Sequence, residues 1–439
     1  MARAWRTDRW APLFFTIWGG QIFSLLGSRI VQFALVWWMT KTTGSAVVLT
    51  TATIAALVPG VVLGPFIGPL IDRWSRRRVM IAADGAIALA TVLLAVLFAL
   101  GVVEIWHVYL IMFARSVGGA FHWPSMQAST TLMVPERHYS RIAGLNQSLQ
   151  GASNLVGPAA GAFLIEVLPM QGVLAVDVLT AAIAIAPLLL IAIPQPSRVV
   201  AGRSSFRRDL REGLHFLAGW PGLMGVAGIA ALLNFLLAPA GSLLPLLVTK
   251  HFGGGAFHLA GLQMATGLGV IAGGLLLTAW GGFKRRIVTA LLGVVFLGAG
   301  AVLLGLTPAT LFSVAVFASL LIGLMQPIAN GSIMAALQAS TPADMQGRLF
   351  SLTGSVSSAM MPLGLTLAGQ LAERFSPGTW FVIGGTASVL LGGLGLFVPS
   401  IVHLEEQGEK LAAQRADSAG SPALTDVEPA DSAAAQDAS

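Results

Sequence analysis

The sequence predicts an all-α membrane protein with twelve transmembrane helices in two six-helix bundles. Three observations carry that expectation. Hydrophobic residue types make up 55% of the 439 residues and charged types 10%, and mean hydropathy is +0.80. A soluble domain carries about 25% charged residues, so this chain cannot clothe a water-facing surface, and a water-soluble enzyme is excluded. Apolar runs of about 20 residues, the length that crosses a bilayer as a helix, recur from end to end. Each is far too long for a barrel strand, and an open sheet cannot satisfy its backbone in lipid. Finally, Pro135 before the fifth run and Arg141 at its start are echoed by Pro342 before the eleventh and Arg348 at its start, the trace of a six-plus-six repeat.

The runs cover 12–39, 46–71, 79–101, 105–126, 142–166 and 172–193, then 222–249, 257–280, 287–306, 309–335, 348–372 and 378–398. The first follows Arg3, Arg6 and Arg9 and could imitate a secretion signal. It is too long for a signal core and has no small-residue cleavage site, so it reads as an uncleaved span. The expected organisation is a bundle over 1–193, a linker over 194–221, a bundle over 222–398 and a largely disordered tail over 399–439. In the linker Phe206, Leu210, Leu214 and Leu217 share a helical face opposite Arg207, Arg208 and Arg211, the pattern of a helix lying in the interface. The tail is rich in Ala, Ser and Asp.

Lys and Arg set the orientation. Of 25, 20 fall on the side that holds both termini and three on the other (Lys41, Lys250 and Arg374), with Arg29 and Arg115 inside spans. The expected protein is therefore a multi-pass protein of the cell (inner or plasma) membrane with both termini cytoplasmic. Trp37, Trp38, Trp106 and Trp380 mark one boundary, and Trp10, Trp74, Trp220 and Trp280 the other. The formal charge of +6 thus reports topology, and no nucleic-acid partner is expected. No cysteine is present, which excludes disulfides and thiolate metal sites.

Several segments carry more than hydrophobicity. The loop after span 2 reads Gly68-Pro69-Leu70-Ile71-Asp72-Arg73-Trp74-Ser75-Arg76-Arg77. Gly68 allows close helix approach, Asp72 can accept charge-assisted hydrogen bonds, and the arginines complement the C-terminal dipole of span 2. A basic loop of this kind also fixes topology by charge alone. Arg115 near the middle of span 4 costs about 2.5–3.5 kcal/mol even on the lenient insertion scale, so it reads as functional or as one half of a structural ion pair. Span 5 carries Gly144, Ser153, Gly157, Pro158, Gly161 and Ala162, small residues and a proline that permit close packing and a bend.

Together these segments resemble the major facilitator superfamily, and within it the drug:proton antiporters. The loop matches the superfamily's G-x-L-x-D-R-x-G-R-R signature at Gly68, Leu70, Asp72, Arg73, Arg76 and Arg77 and departs at Ser75. The resemblance implies that Asp72 and the arginines form a latch favouring one access state. The counterpart loop, Trp280 to Arg286, keeps Lys284, Arg285 and Arg286 but has no Asp. Arg115 with Gly119 resembles the superfamily's span-4 element, which implies proton relay or substrate contact. Span 5 is similar to the antiporter signature, with Ser153 and Ala162 replacing glycines. The segment from Gln32 through Trp37, Trp38 and Thr43-Gly44-Ser45, with Gln326-Pro327 and Gln346-Gly347-Arg348, looks like macrolide-efflux-type facilitators.

Polar stripes nominate a cavity. Gln21, Ser24, Ser28 and Gln32 form one stripe on span 1. Gln147, Gln150 and Asn154 form another on span 5, Asn234 lies in span 7, and Gln326 and Asn330 share a face of span 10. Such stripes also hydrogen-bond helices together; by resemblance, these spans line a central cavity. Proton-coupling candidates are Asp177, Arg115, Arg29 and Asp84, with Asp177 expected to pair with Arg29, and Asp84 and Glu166 expected near the interfaces.

The lining is mostly neutral, aromatic and amide-bearing, which suits bulky amphipathic molecules. The expected function is export of hydrophobic, drug-like, macrolide-like compounds by proton antiport and alternating access. The alternative is an exporter or flipper of a native lipid, siderophore or metabolite. No nucleophile–base or metal motif appears and the seven histidines are scattered, so the chain is expected to be neither an enzyme nor a metalloprotein. It needs no cofactor beyond a proton gradient, and its expected partners are the bilayer, a small molecule and protons, with the chain acting as a monomer.

Overall fold

The computed structural model describes residues 10–193, 220–341 and 343–408. The first bundle comprises α1 (Trp10–Thr43), α2 (Ala46–Arg73), α3 (Arg76–Ala99), α4 (Ile105–Met133), α5 (Tyr139–Val167) and α6 (Met170–Leu190). The second comprises α7 (Pro221–Leu246, prolonged by a π-turn over Leu247–His251), α8 (Ala256–Trp280), α9 (Arg286–Leu306), α10 (Phe312–Ser340), α11 (Ala343–Arg374) and α12 (Pro377–Phe397). Every apolar run is therefore a helix. The amphipathic linker helix and the tail beyond 408 lie outside the described residues.

Helix limits follow local chemistry. The Ser45 hydroxyl accepts from Val48 N and caps α2, as Ser376 accepts from Thr379 N and caps α12. Gly281, at φ 77°, ends α8 in the left-handed region. Among the described residues, nine helices are apolar enough over an 18-residue window to cross a bilayer on length and composition. Helices α4, α5 and α11 are the long ones that fall short. They are the polar members, and two of them line the cavity described below.

The two bundles repeat one packing scheme. In the first, α1 packs on α5 and α6, α2 on α4, and α3 on α4 and α6; in the second, α7 packs on α11 and α12, α8 on α10, and α9 on α10 and α12. Each pairing recurs six helices later, which extends the Pro–Arg echo to the whole architecture. Between the bundles α2 faces α11 and α5 faces α8, again related by the same shift.

The ends differ. At the end bearing Lys41, Lys250 and Arg374, a single hydrophobic core fuses both bundles, with Leu35, Leu49, Leu94, Leu243, Leu259 and Ala372 among its members. At the arginine-rich end each bundle has its own core: Phe14, Met80, Met133 and Leu188 in one, Leu223, Ile287, Leu349 and Leu404 in the other. The molecule is sealed at the first end and parted at the second. Polar ties reinforce the seal. Ser242 Oγ lies 2.8 Å from Thr53 Oγ1. The Glu373 carboxylate of α11 accepts from Ala46 N at 2.7 Å and from Ser45 Oγ at 3.2 Å, at the N-terminus of α2.

One expectation needs correction. The chain does not become tail at residue 399: the short helix α13 (Pro399–Val402) and the residues to 408 are ordered against the second bundle. Leu404 is fully buried, and Trp220 Nε1 donates to Gln407 Oε1 at 2.9 Å. Arg285 pairs with Glu406 at 2.8 Å, and Glu405 accepts from Arg286 N. The basic loop before α9, which has no Asp of its own, thus draws its acids from beyond α12.

Candidate transport pathway and buried polar layers

Helix α1 organises the first bundle through its rotation. Gly20 and Gly27 lie directly against α6, and a Cβ at Gly20 would sit 3.0 Å from the Ile183 carbonyl. The neighbouring face bonds α3 and α4. Ser28 Oγ donates to Asp177 Oδ1 at 3.1 Å and accepts from Arg115 Nη2 at 3.2 Å. Arg115 Nη1 bonds the other Asp177 oxygen and the Thr91 hydroxyl, and Thr91 Oγ1 donates to Asp177 Oδ2 at 3.0 Å. Asp177 is 1% exposed. The buried cation therefore has its anion and hydroxyl partners, the condition under which burial of charge is tolerated.

A second polar layer lies two turns away. Gln21 Nε2 donates to Asp84 Oδ2 at 3.3 Å and to the Ala184 carbonyl at 3.4 Å. His122 Nε2 lies 2.6 Å from Gln21 Oε1 and 3.4 Å from Asp84 Oδ1. All three side chains are buried. Gln21 and Ser28, Asp84 and Thr91, Arg115 and His122, and Asp177 and Ala184 are each seven residues apart on α1, α3, α4 and α6, so the layers stack about 10 Å apart.

Several expectations are therefore revised. Asp177 pairs with Arg115 and not with Arg29. Asp84 lies inside the bundle and not at its rim. Gln21 and Ser28 are internal ties and not cavity lining, because other helices cover the polar face of α1 at their depth. Ser24 is buried as well.

Arg29 and Gln32 are exposed. Their register lies between the face of α1 that bonds α4 and the face that meets α5, so they look into the space between the bundles. Gly157 and Gly161 bring α5 onto α1 there: a Cβ would come within 2.8 Å of Arg29 Cβ at the first and 2.9 Å of the Phe33 ring at the second. Pro158 lies within α5 between them, whereas Gly144 faces open space.

A cavity of about 550 Å³ lies between the arginine-rich halves of α4 and α5, lined by Trp123, Gln127, Tyr139, Asn146, Gln147 and Gln150 among others. Trp18 Nε1 donates to Asn146 Oδ1 at 2.7 Å and ties α1 to its wall. Asn154 is exposed farther along α5, and Gln326 and Asn330 are exposed on α10. Asn234 is half-buried and donates to the Ala230 carbonyl of its own helix at 2.9 Å. The lining offers amides, hydroxyls and aromatic faces, a surface for large, weakly polar molecules.

Of the loop signature, the side chains of Gly68, Asp72 and Arg73 lie outside the described residues. Arg77 bonds the carbonyls of Leu188 and Leu189 at the end of α6, and Arg76 Nη1 reaches the Ala128 carbonyl of α4 at 2.5 Å. Both arginines cement the first bundle at its basic end, Arg77 as a cation at a helix C-terminus.

Sequence reasoning missed His122, Trp18, Asn146 and Glu373. For His122 a signal existed, the seven-residue spacing from Arg115. Glu373 gave none, because its partner is on a helix distant in sequence. Among the described residues no group of His, Cys, Asp and Glu is placed to hold a metal ion.

Comparison with known proteins places these features in context. The sequence model of the Major Facilitator Superfamily matches residues 17–365. Macrolide efflux protein A of Streptococcus pyogenes is 35% identical over 385 residues, 88% of this chain and 95% of that protein. Its namesake from Enterococcus faecalis is 36% identical over 323 residues, 73% and 100% respectively. The crystal structure of the nucleoside transporter NupG shares the fold, with a TM-score of 0.64 at 14% identity over 87% of this chain and 98% of that one.

Proposed function

The chain belongs to the Major Facilitator Superfamily, and from that premise we propose that it exports hydrophobic, drug-like molecules of the macrolide type by proton antiport. The observation that carries this reading is the joint arrangement of cavity and seal. A cavity lined by aromatic and amide side chains opens at the arginine-rich end while the opposite end is closed. With Lys and Arg retained in the cytoplasm, both termini are cytoplasmic and the cavity faces the compartment from which an exporter loads. The similarity to macrolide efflux proteins supports the same direction and substrate class.

Alternating access follows from the packing. Each bundle has its own core at the cytoplasmic end, so the two can rock as bodies about the contacts of α2 with α11 and of α5 with α8. Substrate enters against Gln147 and Gln150 of the cavity wall and advances toward Arg29 and Gln32, exposed farther along α1. Proton coupling is supported by the confinement, among the described residues, of buried ionisable side chains to the first bundle. The chain works in the lipid bilayer as a monomer and takes its energy from the proton gradient.

Purified protein in liposomes with an imposed pH gradient provides the test. Erythromycin and a lipophilic dye should accumulate against their gradients. Gln32→Ala and Gln147→Ala should each raise KM by about three- to tenfold, the cost of about 1 kcal/mol of hydrogen bonding, with little change in maximal rate. Absence of flux for both compounds in the parent protein would refute the reading.

A further inference from the structure

The two buried layers differ in kind. In the layer of Ser28, Thr91, Arg115 and Asp177 the cation is an arginine, which keeps its charge at any working pH. One Asp177 oxygen receives Ser28, and the other receives Arg115 and Thr91. A proton on that carboxylate would leave the guanidinium without its anion inside the bundle, so exchange at this layer would break an ion pair. In the layer of Gln21, Asp84 and His122 no arginine is present. Its cation is available only when the imidazole holds a second proton, and histidine is the side chain that changes charge nearest neutral pH.

We infer that the proton exchanged during transport is held by Asp84 and His122, and that Arg115 with Asp177 is the neighbouring ion pair that stays closed while this layer switches. The inference rests on the antiport reading proposed above. Gln21 Oε1 can only accept, so His122 donates to it through Nε2, and Gln21 Nε2 donates in turn to Asp84. One proton taken up on the imidazole converts the layer from net −1 to net zero by forming a single N–H bond. Its loss returns an unneutralised carboxylate to the interior of the bundle. A conformational equilibrium responds to such a change because the two access states differ in what surrounds the charge.

Position favours exchange at this layer. It lies on the arginine-rich side of the Arg115 layer, the side on which the molecule is parted. His122 keeps 7% of its side chain exposed and is followed by Trp123, which lines the cavity. The charged groups around it are few. Arg115 and Asp177 are two turns away on α4 and α6, and Arg76 and Arg77 lie two turns toward the basic end on α3, Arg77 on the Asp84 face with its guanidinium on the Leu188 carbonyl one turn from Ala184. Helices α1 and α6 present Gln21 and the Ala184 carbonyl. Asp72 on α2, whose side chain lies outside the described residues, is controlled for in the test.

The experiment reads proton release when erythromycin is added to the purified transporter in weak buffer with a pH indicator. Substrate counterflow in liposomes without a pH gradient is measured in parallel. The drug's own amine contributes equally in every variant. The parent protein should release protons. His122→Gln and Asp84→Asn should each lower that release at least about fivefold, abolish gradient-driven accumulation and keep counterflow within about twofold. Asp177→Asn and Asp72→Asn should keep the release. Release lost in Asp177→Asn or Asp72→Asn and retained in His122→Gln would overturn the assignment. Should both Asp84 and His122 variants fail to fold, the paired change Arg115→Gln with Asp177→Asn, which leaves no charge of that layer unpaired, decides: release retained in a protein that melts like the parent supports the inference, and release lost in such a protein overturns it. Absence of counterflow in the parent protein is a separate result that refutes the transporter reading itself.

Discussion

The two bundles share one packing scheme and fill it with opposite chemistry. The first buries Asp84, His122 and Asp177, with Arg115 largely covered beside them, in stacked layers. Among its described residues the second buries no acid, base or histidine; its buried polar side chains are serines and threonines such as Ser242, Thr289, Ser319 and Ser388. In their place it uses glycine. Gly298 of α9 and Gly385 of α12 face each other so closely that a Cβ on either would lie 2.6 Å from the other's carbonyl. Gly269 and Gly323 do the same between α8 and α10 against the Leu320 and Thr266 backbones. Backbone approach of this kind holds membrane helices by dispersion and leaves no charge to change. One repeated scaffold thus holds, among the described residues, ionisable side chains inside its first bundle and close backbone contacts without them inside its second.

The comparison can be broken in order of effect. Arg115→Ala leaves Asp177 buried without its cation and should cost about 3–5 kcal/mol, seen as a large drop in Tm in detergent and loss of transport. The paired change Arg115→Gln with Asp177→Asn should recover most of the stability. A single variant that melts like the parent would show that the ion pair does not support the bundle.

Next comes Gly298→Val, where backbone opposes the new side chain. About 3 kcal/mol, the upper part of the overpacking range, is expected. Gly393→Ala, with nothing within 4 Å of its Cβ, should change Tm by the equivalent of about 0.5 kcal/mol or less. If Gly298→Val shifts the pH profile of residual transport, the second bundle is not the passive partner.

Smaller is Glu373→Gln, which weakens the anion at the N-terminus of α2 by about 0.5 kcal/mol. Spin-label distances across the sealed end should report roughly a doubling of the open population. The least effect belongs to Arg285→Ala, since its exposed pair with Glu406 contributes about 0–1 kcal/mol. A loss well above that, read from chemical denaturation, would make the segment after α12 a main support of the bundle.

Hydropathy made the twelve helices legible because lipid forces continuous apolar length, and Lys and Arg made the ends distinguishable. Charge in the spans pointed to Arg115 and Asp177 for the same reason, that lipid tolerates neither without cause. What remained hidden was rotation and cover. The stripe Gln21, Ser24, Ser28 and Gln32 marks the polar face of α1 correctly, yet only contact with α3, α4 and α6 determines that the first three are internal and Gln32 is open. The same ambiguity paired Asp177 with Arg29, which is turned toward α5, instead of with Arg115. His122 was overlooked because histidines scattered along a chain look unrelated until helical register sets one two turns from Arg115.

The segment from Pro399 to Gly408 has a consequence for assembly. Membrane bundles are built as the ribosome delivers them, N-terminal parts first. Here the carboxylates of Glu405 and Glu406, the Gln407 amide that receives Trp220, and Gly408 seated against Ser340 belong to the last stretch of the second bundle to be made. The starts of α7 and α9 and the end of α10 must wait for it before their final contacts exist. A reporter fused after Gly408 leaves that closing step intact, whereas one fused after Phe397 yields a chain with all twelve spans inserted and its second bundle unfinished.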